Sequence, residues 1–200
     1  MSDNMQEPVA PLVHSGKKID ARVRRTRDAL GDALVALMQE QPFDTITVQH
    51  VLDRAGVGRS TFYSHYSDKD DLLMSDAEEF FEMIATALSV RGDKSERVFP
   101  VTEFFKHVGE ASQFVKALME SGKIHDNFEL AEGHFARGIE RRFSEVSKGA
   151  NIPVQDRAAI AFAHAGALLS LLRWWINRGM KEPAEKMDEL FHRMVWGDRN

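Results

Sequence analysis

The sequence predicts an all-α fold, and three observations carry that prediction. Two short amphipathic segments flank a glycine-containing turn at Gly56, Val57 and Gly58. Along most of the remaining chain, apolar residues recur every three to four positions, the spacing of one helix face. The interruptions fall at Gly and Pro, and the strict alternation of a half-buried strand is not found. The pattern resolves into a three-helix unit with a helix-turn-helix near the N-terminus, a helix leading out of it, and a larger helical bundle.

Residues 1–17 contain two prolines and no periodicity and are expected to form a disordered tail. The first helix carries the stripe Leu30, Leu34, Leu37 and Met38 and ends near Gln41–Pro42, after which Phe43, Ile46 and Val48 plug the small core. Thr47 opens a second helix whose Val48, Val51, Leu52 and Ala55 share a face. Gly56 stops it, because the chain must take a positive φ just past the helix end. A third helix is expected over 59–66, rich in Arg, Ser, Thr, Tyr and His. Ser67-Asp68-Lys69-Asp70 fits a Ser-x-x-Asp capping pattern and starts a fourth helix. There Leu73, Ala77, Phe80, Phe81, Ile84 and Leu88 keep helical spacing to about residue 89.

Beyond a loop at 91–95, helices are expected at 101–108, 111–121 and 127–147. Another runs from 153 or 156 to 178, and the last from Pro183 to Gly197. The expected division is 18–67 for the helix-turn-helix unit, 68–89 for a connecting helix, and 90–200 for a regulatory and dimerisation domain.

Two short helices about a glycine turn are the arrangement that lays its second helix in a DNA major groove. On that expectation Arg59 contacts a guanine through its planar fork, and Ser60 and Thr61 contact a base or a phosphate. Thr47, Tyr63 and Lys69 are placed on backbone phosphates, which fix register without reading sequence. Lys69 stands in the first turn of the fourth helix, whose free N–H groups and positive dipole end favour an anion. Phe62 is read as core, with His65 and Tyr66 shaping the helix.

A net charge of −5 becomes compatible with DNA once it is divided along the chain. Residues 1–69 hold nine Lys/Arg and nine Asp/Glu, and residues 70–200 hold seventeen against twenty-two. Lys17, Lys18, Arg22, Arg24, Arg25 and Arg27 face only Asp20, a local excess of +5 at the start of the first helix. Arg25 represents this cluster among the expected phosphate contacts.

The run Thr47, Ala55-Gly56-Val57, Ser60-Thr61-Phe62-Tyr63, His65-Tyr66, Asp68-Lys69 and Leu72-Leu73 resembles the N-terminal domain of the TetR family of bacterial transcriptional regulators. The resemblance covers residues 20 to 73. Leu52 stands where the family usually has a small Ala, and Ser64 where many members carry a second Tyr. The resemblance implies a homodimer on a palindromic operator in double-stranded DNA, a repressor by family default, and a small-molecule effector in the C-terminal domain. Nothing in these residues separates repressor from activator.

The dimer surface is expected on the last two helices. Residues 158–175 read AAIAFAHAGALLSLLRWW, apolar on nearly every side, and Met187, Leu190, Phe191, Met194 and Val195 stripe the final helix. Two such helices from each chain would make a four-helix bundle. Phe104, Phe105, Phe114, Phe128, Phe135 and Phe143, with His107, His134 or His164, are the candidates for lining an effector cavity. Aromatics at helical spacing are ordinary core residues, however, so the ligand-binding residues stay unknown. A regulator sensing a protein partner instead of a metabolite is the alternative.

Several classes are disfavoured. The absence of cysteine excludes disulfides and thiolate chemistry. A single Glu-x-x-His, at Glu189 and His192, falls short of the paired motifs of a carboxylate-bridged metal centre. No P-loop or Gly-x-Ser-x-Gly elbow occurs. No enzyme activity, metal or cofactor is therefore expected. An apolar run of about eighteen residues is not found, nor a signal-peptide pattern, so no membrane partner and a cytoplasmic location are expected.

Overall fold

The computed structural model describes residues 21–197, all of whose regular elements are helical. The tail expected at 1–17 and the charges Lys17, Lys18 and Asp20 lie outside the described residues. The elements are α1 Ala21–Glu40, α2 Val48–Ala55, α3 Arg59–Tyr63, α4 Lys69–Val90, α5 Val101–Glu110, α6 Ser112–Glu120, α7 Ile124–Glu145, α8 Arg157–Asn177 and α9 Ala184–Trp196. Short 3₁₀ turns occupy Phe43–Thr45, Lys148–Asn151 and Val154–Asp156.

Buried side chains form two cores. The first gathers Leu30, Leu34, Leu37, Phe43, Ile46, Val51, Phe62, Tyr66 and Leu72 from α1–α4. Leu118 of α6 is buried in the same core, with Phe114 and Ile124 packed against it. The α6–α7 corner therefore braces the small domain. The second core joins α4, α5, α7, α8 and α9 around Phe81, Phe99, Phe104, Phe105, Phe135, Leu168 and Phe191. Since α4 contributes Leu72 and Leu73 to one core and Phe81 and Ile84 to the other, it spans both as one continuous helix.

Several expectations shift. α3 ends at Tyr63 rather than at residue 66. There the chain tightens: the His65 N–H bonds back to Phe62 O at 2.9 Å, and Ser64 Oγ caps Thr61 O at 2.7 Å. The cap of α4 moves one residue on. Asp68 is the N-cap and accepts from the Asp71 N–H at 2.8 Å, while Asp71 Oδ2 accepts from the Ser67 N–H at 2.8 Å. A carboxylate outbids the Ser67 hydroxyl for the free N–H groups because it carries full charge. α7 starts three residues earlier than expected, at Ile124.

Contrary to the expectation of no spanning run, Val154–Asn177 is long and apolar enough to cross a membrane by length and composition. Ala161, Ala165, Leu168, Leu169 and Leu172 on one side of it are buried against the second core.

Candidate nucleic-acid interface

The frame that presents α3 begins with α2. Thr47 Oγ accepts from the His50 N–H at 3.2 Å, and His50 Nδ1 accepts from the Thr47 N–H at 3.4 Å, a reciprocal capping box. Gly56 adopts φ 65°, ψ 31°, the left-handed turn that ends α2. Arg54 clamps Glu40 with two bonds of 3.0 and 2.6 Å, tying α2 to the end of α1. Phe62, fully buried, anchors α3, and its N–H bonds to Gly58 O at 3.1 Å. Tyr66 is buried beside it, its hydroxyl accepting from Arg27 Nε at 3.0 Å.

With Phe62 turned inward, Arg59, Ser60, Thr61 and Tyr63 of the five-residue helix are all exposed, as is Ser64 at its C-cap. The structure thus brings four of the sequence-predicted site residues, Arg59, Ser60, Thr61 and Tyr63, onto one outward surface. The Arg59 guanidinium lies 5.5 Å from the Tyr63 ring centre. Thr47, also exposed, accepts through its oxygen in the cap and keeps its O–H proton to donate.

Lys69 is placed differently from the other candidates. Its Nζ donates to Phe43 O at 2.6 Å and Ile46 O at 2.7 Å and sits 4.3 Å from the Phe43 ring centre. Two of its three donors are therefore engaged inside the small domain. The basic start of α1 is also divided. Arg24 and Arg25 are exposed, whereas Arg27 turns inward to Tyr66, Ser75 Oγ at 3.1 Å and the Glu79 carboxylate.

The other chemistry-bearing residues resolve into structural roles. His192 Nε2 accepts from the Val98 N–H at 3.1 Å while Nδ1 faces Asp188 at 3.0 Å, and Glu189 points away to Lys186. The Glu-x-x-His pair does not converge, and no metal-holding cluster exists among the described residues. His164 Nδ1 bonds Ile160 O at 2.7 Å within α8. Of the six phenylalanines proposed for a cavity, Phe104, Phe105, Phe135 and Phe143 are buried core. Phe114 packs on the other core, and Phe128 lies under Arg173.

Comparison with known proteins agrees with this geometry. Residues 30–75 match the family described as bacterial regulatory proteins, tetR family, and residues 100–197 match a transcriptional regulator C-terminal region. An uncharacterized HTH-type transcriptional regulator of Bacillus subtilis, YxbF, is 33% identical over 81 residues, 40% of this chain. That match spans only 21% of the relative's length. A solved TetR transcriptional regulator from Streptococcus agalactiae is 26% identical, covering 88% of this chain and 97% of that one with a TM-score of 0.59. The dihydroxyacetone kinase operon activator DhaS shares the fold at 20% identity, covering 85% and 93% with a TM-score of 0.61. From the N-terminal helix-turn-helix through the helical C-terminal region, this chain belongs to the TetR family of DNA-binding transcriptional regulators and is not an enzyme.

Proposed function

We propose that the protein is a cytoplasmic repressor that binds a palindromic operator as a homodimer and releases it when an effector reaches the C-terminal domain. The observation that carries the reading is the outward surface of α3, where Arg59, Ser60, Thr61 and Tyr63 are exposed while Phe62 holds the helix to the core. In this reading α3 lies in the major groove, with Arg59 on a guanine and Ser60 and Thr61 on a base or phosphate. Thr47, Tyr63, Arg25 and the remaining N–H of Lys69 hold phosphates.

Dimerisation is supported by the apolar face left uncovered on α8 and α9. Phe162, Trp174 and Met194 are 54%, 44% and 52% exposed on helices whose opposite sides are buried. The exposed Ala159 and Ala163 on α8 are small enough for close helix approach. A symmetric site needs two readers about 34–36 Å apart, or a multiple of that spacing. An effector that binds one tilt of α4 better than another changes this spacing through its differential affinity. Family default supports repression, while the activator DhaS shows that the fold serves the opposite sign.

A second reading, a protein partner as the signal, is favoured by the tight aromatic packing of the larger core. Phe99 and Phe135 have ring centres 4.5 Å apart, and Phe104 meets Phe135 edge-on at 5.2 Å. A half-open crevice of about 450 Å³ with a mixed polar and apolar lining lies beside Asp93, Ser95 and Glu145.

Selection of bound DNA from a random duplex pool, at two salt concentrations, tests the operator reading. Recovery of an inverted repeat is the expected result. Salt-sensitive binding without any recovered motif would sink it.

A further inference from the structure

We propose that Tyr63 is a positioning residue: the face of its ring fixes the Arg59 guanidinium for base reading, apart from any hydrogen bond its hydroxyl makes. This rests on α3 being the DNA-reading helix.

Arg59 and Tyr63 are four residues apart and share a helix face. The guanidinium carbon sits 5.5 Å from the ring centre, within the range of about 6 Å for cation–π attraction. The ring is itself held. It meets Phe62 edge-on at 5.3 Å and 84°, and Phe62 is fully buried. A run of contacts therefore leads from the core through Phe62 and Tyr63 to Arg59. Arg59 makes no hydrogen bond or ion pair with any other described residue. Arg54, on the preceding helix, has both terminal nitrogens occupied by Glu40.

The difference matters because the two kinds of partner use different parts of the group. A carboxylate consumes N–H donors in the guanidinium plane. A ring takes up the face and leaves the in-plane N–H fork free for O6 and N7 of guanine. Tyr63 thus reduces the rotamer freedom that Arg59 loses on docking, without competing with the base.

The test measures affinity for a selected operator and for its single-base variants, using wild type, Tyr63→Phe, Tyr63→Leu, Arg59→Ala and the double variant Arg59→Ala/Tyr63→Leu. Tyr63 is 47% exposed, so these chains are expected to fold, which circular dichroism checks. Tyr63→Phe is expected to keep the preference at the base pair that Arg59 reads, with any weakening spread evenly over all sequences. Tyr63→Leu is expected to lower that preference about two- to fivefold. In the Arg59→Ala background it should change the preference no further. Equal loss of preference in Tyr63→Phe and Tyr63→Leu would overturn the proposal, as would an unchanged preference in Tyr63→Leu. An Arg59→Ala protein with all base preferences intact would instead overturn the reading of α3 on which the proposal stands.

Discussion

The carboxylate of Asp76 on α4 lies directly over Gly31 of α1, in the space that a side chain at position 31 would fill. Glycine lets the two helices close at this point, and the closure buries an acid where the small domain meets the helix leading into the larger one. Burial pushes the Asp76 carboxyl up to about 7, and repulsion from Glu79, Asp28 and Asp32 adds to it. Arg27 opposes the rise, but it is also shared with Tyr66, Ser75 and Glu79.

Stability should therefore depend on pH in a defined direction. In the folded chain Asp76 holds its proton up to about pH 7, whereas in the unfolded chain it releases it near 4. The folded state binds the extra proton between these values, so stability falls as pH rises through that window and levels above it. The loss is at most about 4 kcal/mol. Asp76→Asn, with no charge to bury, should be the more stable protein at pH 8 and should converge with wild type near pH 4. Urea unfolding at several pH values reads this, and parallel curves for the two proteins would refute it.

Lys69 is a strut as well as a candidate phosphate contact. Lys69→Met keeps the stem but removes both charge-assisted bonds to the carbonyls of Phe43 and Ile46. Denaturant unfolding should show a loss of about 1–3 kcal/mol. If the third N–H meets a phosphate, the slope of log K against log salt should also fall by about 0.9. A stability loss with an unchanged slope would confine Lys69 to the strut.

Dimerisation should depend on the uncovered face of α8. Phe162 is more than half exposed in one chain, so Phe162→Glu should leave the helical fold intact by circular dichroism. Placed against a second copy, the carboxylate would be buried without a partner, at a cost of several kcal/mol. Sedimentation should then report a monomer, and tight binding to a two-half-site operator should be lost. A variant that remained dimeric would move the interface elsewhere.

What could be read from the sequence was local. Thr47 opening α2, Gly56 as its left-handed stop and Phe62 as the inward residue of α3 each follow from a few neighbours; in the structure Thr47 is the N-cap, Gly56 has φ 65° and Phe62 is buried. What could not be read was contact across distance. Lys69 reaches carbonyls 26 and 23 residues away, and Leu118 leaves its own helical neighbourhood for the first core. Neither has a period or a motif. Of the aromatics whose spacing suggested a cavity, Phe104, Phe105, Phe135 and Phe143 are in the larger core but Phe114 packs on the other one, and spacing does not reveal whether facing rings leave a void or touch. His50 was legible in principle, since a residue three past a Thr N-cap is where a reciprocal side chain stands.

Arg142 is the strongest case of a residue hidden from sequence reading, and its removal should be severe. It sits in α7 at 2% exposure, the position of a core residue, yet its guanidinium organises the segment between α4 and α5. Nε donates to Arg97 O at 3.0 Å, Nη2 to Ser95 O at 3.0 Å, and Nη1 to Glu145 at 2.9 Å and Asp93 O at 3.3 Å. Residues 91–97 carry no apolar side chain, so this planar fork holds them, while Val98 and Phe99 just beyond are buried in the larger core. Arg142→Met should lower stability by about 3–5 kcal/mol, because the carbonyls of Asp93, Ser95 and Arg97 and the acids Asp93 and Glu145 would lose their common partner. Arg142→Lys should lie between methionine and wild type, since an ammonium offers charge but only three donors. Hydrogen exchange separates local from global loss. Faster exchange confined to residues 93–97 would mean the fork only pins the loop, whereas faster exchange throughout α5 and α9 would show that the loop holds the larger core closed.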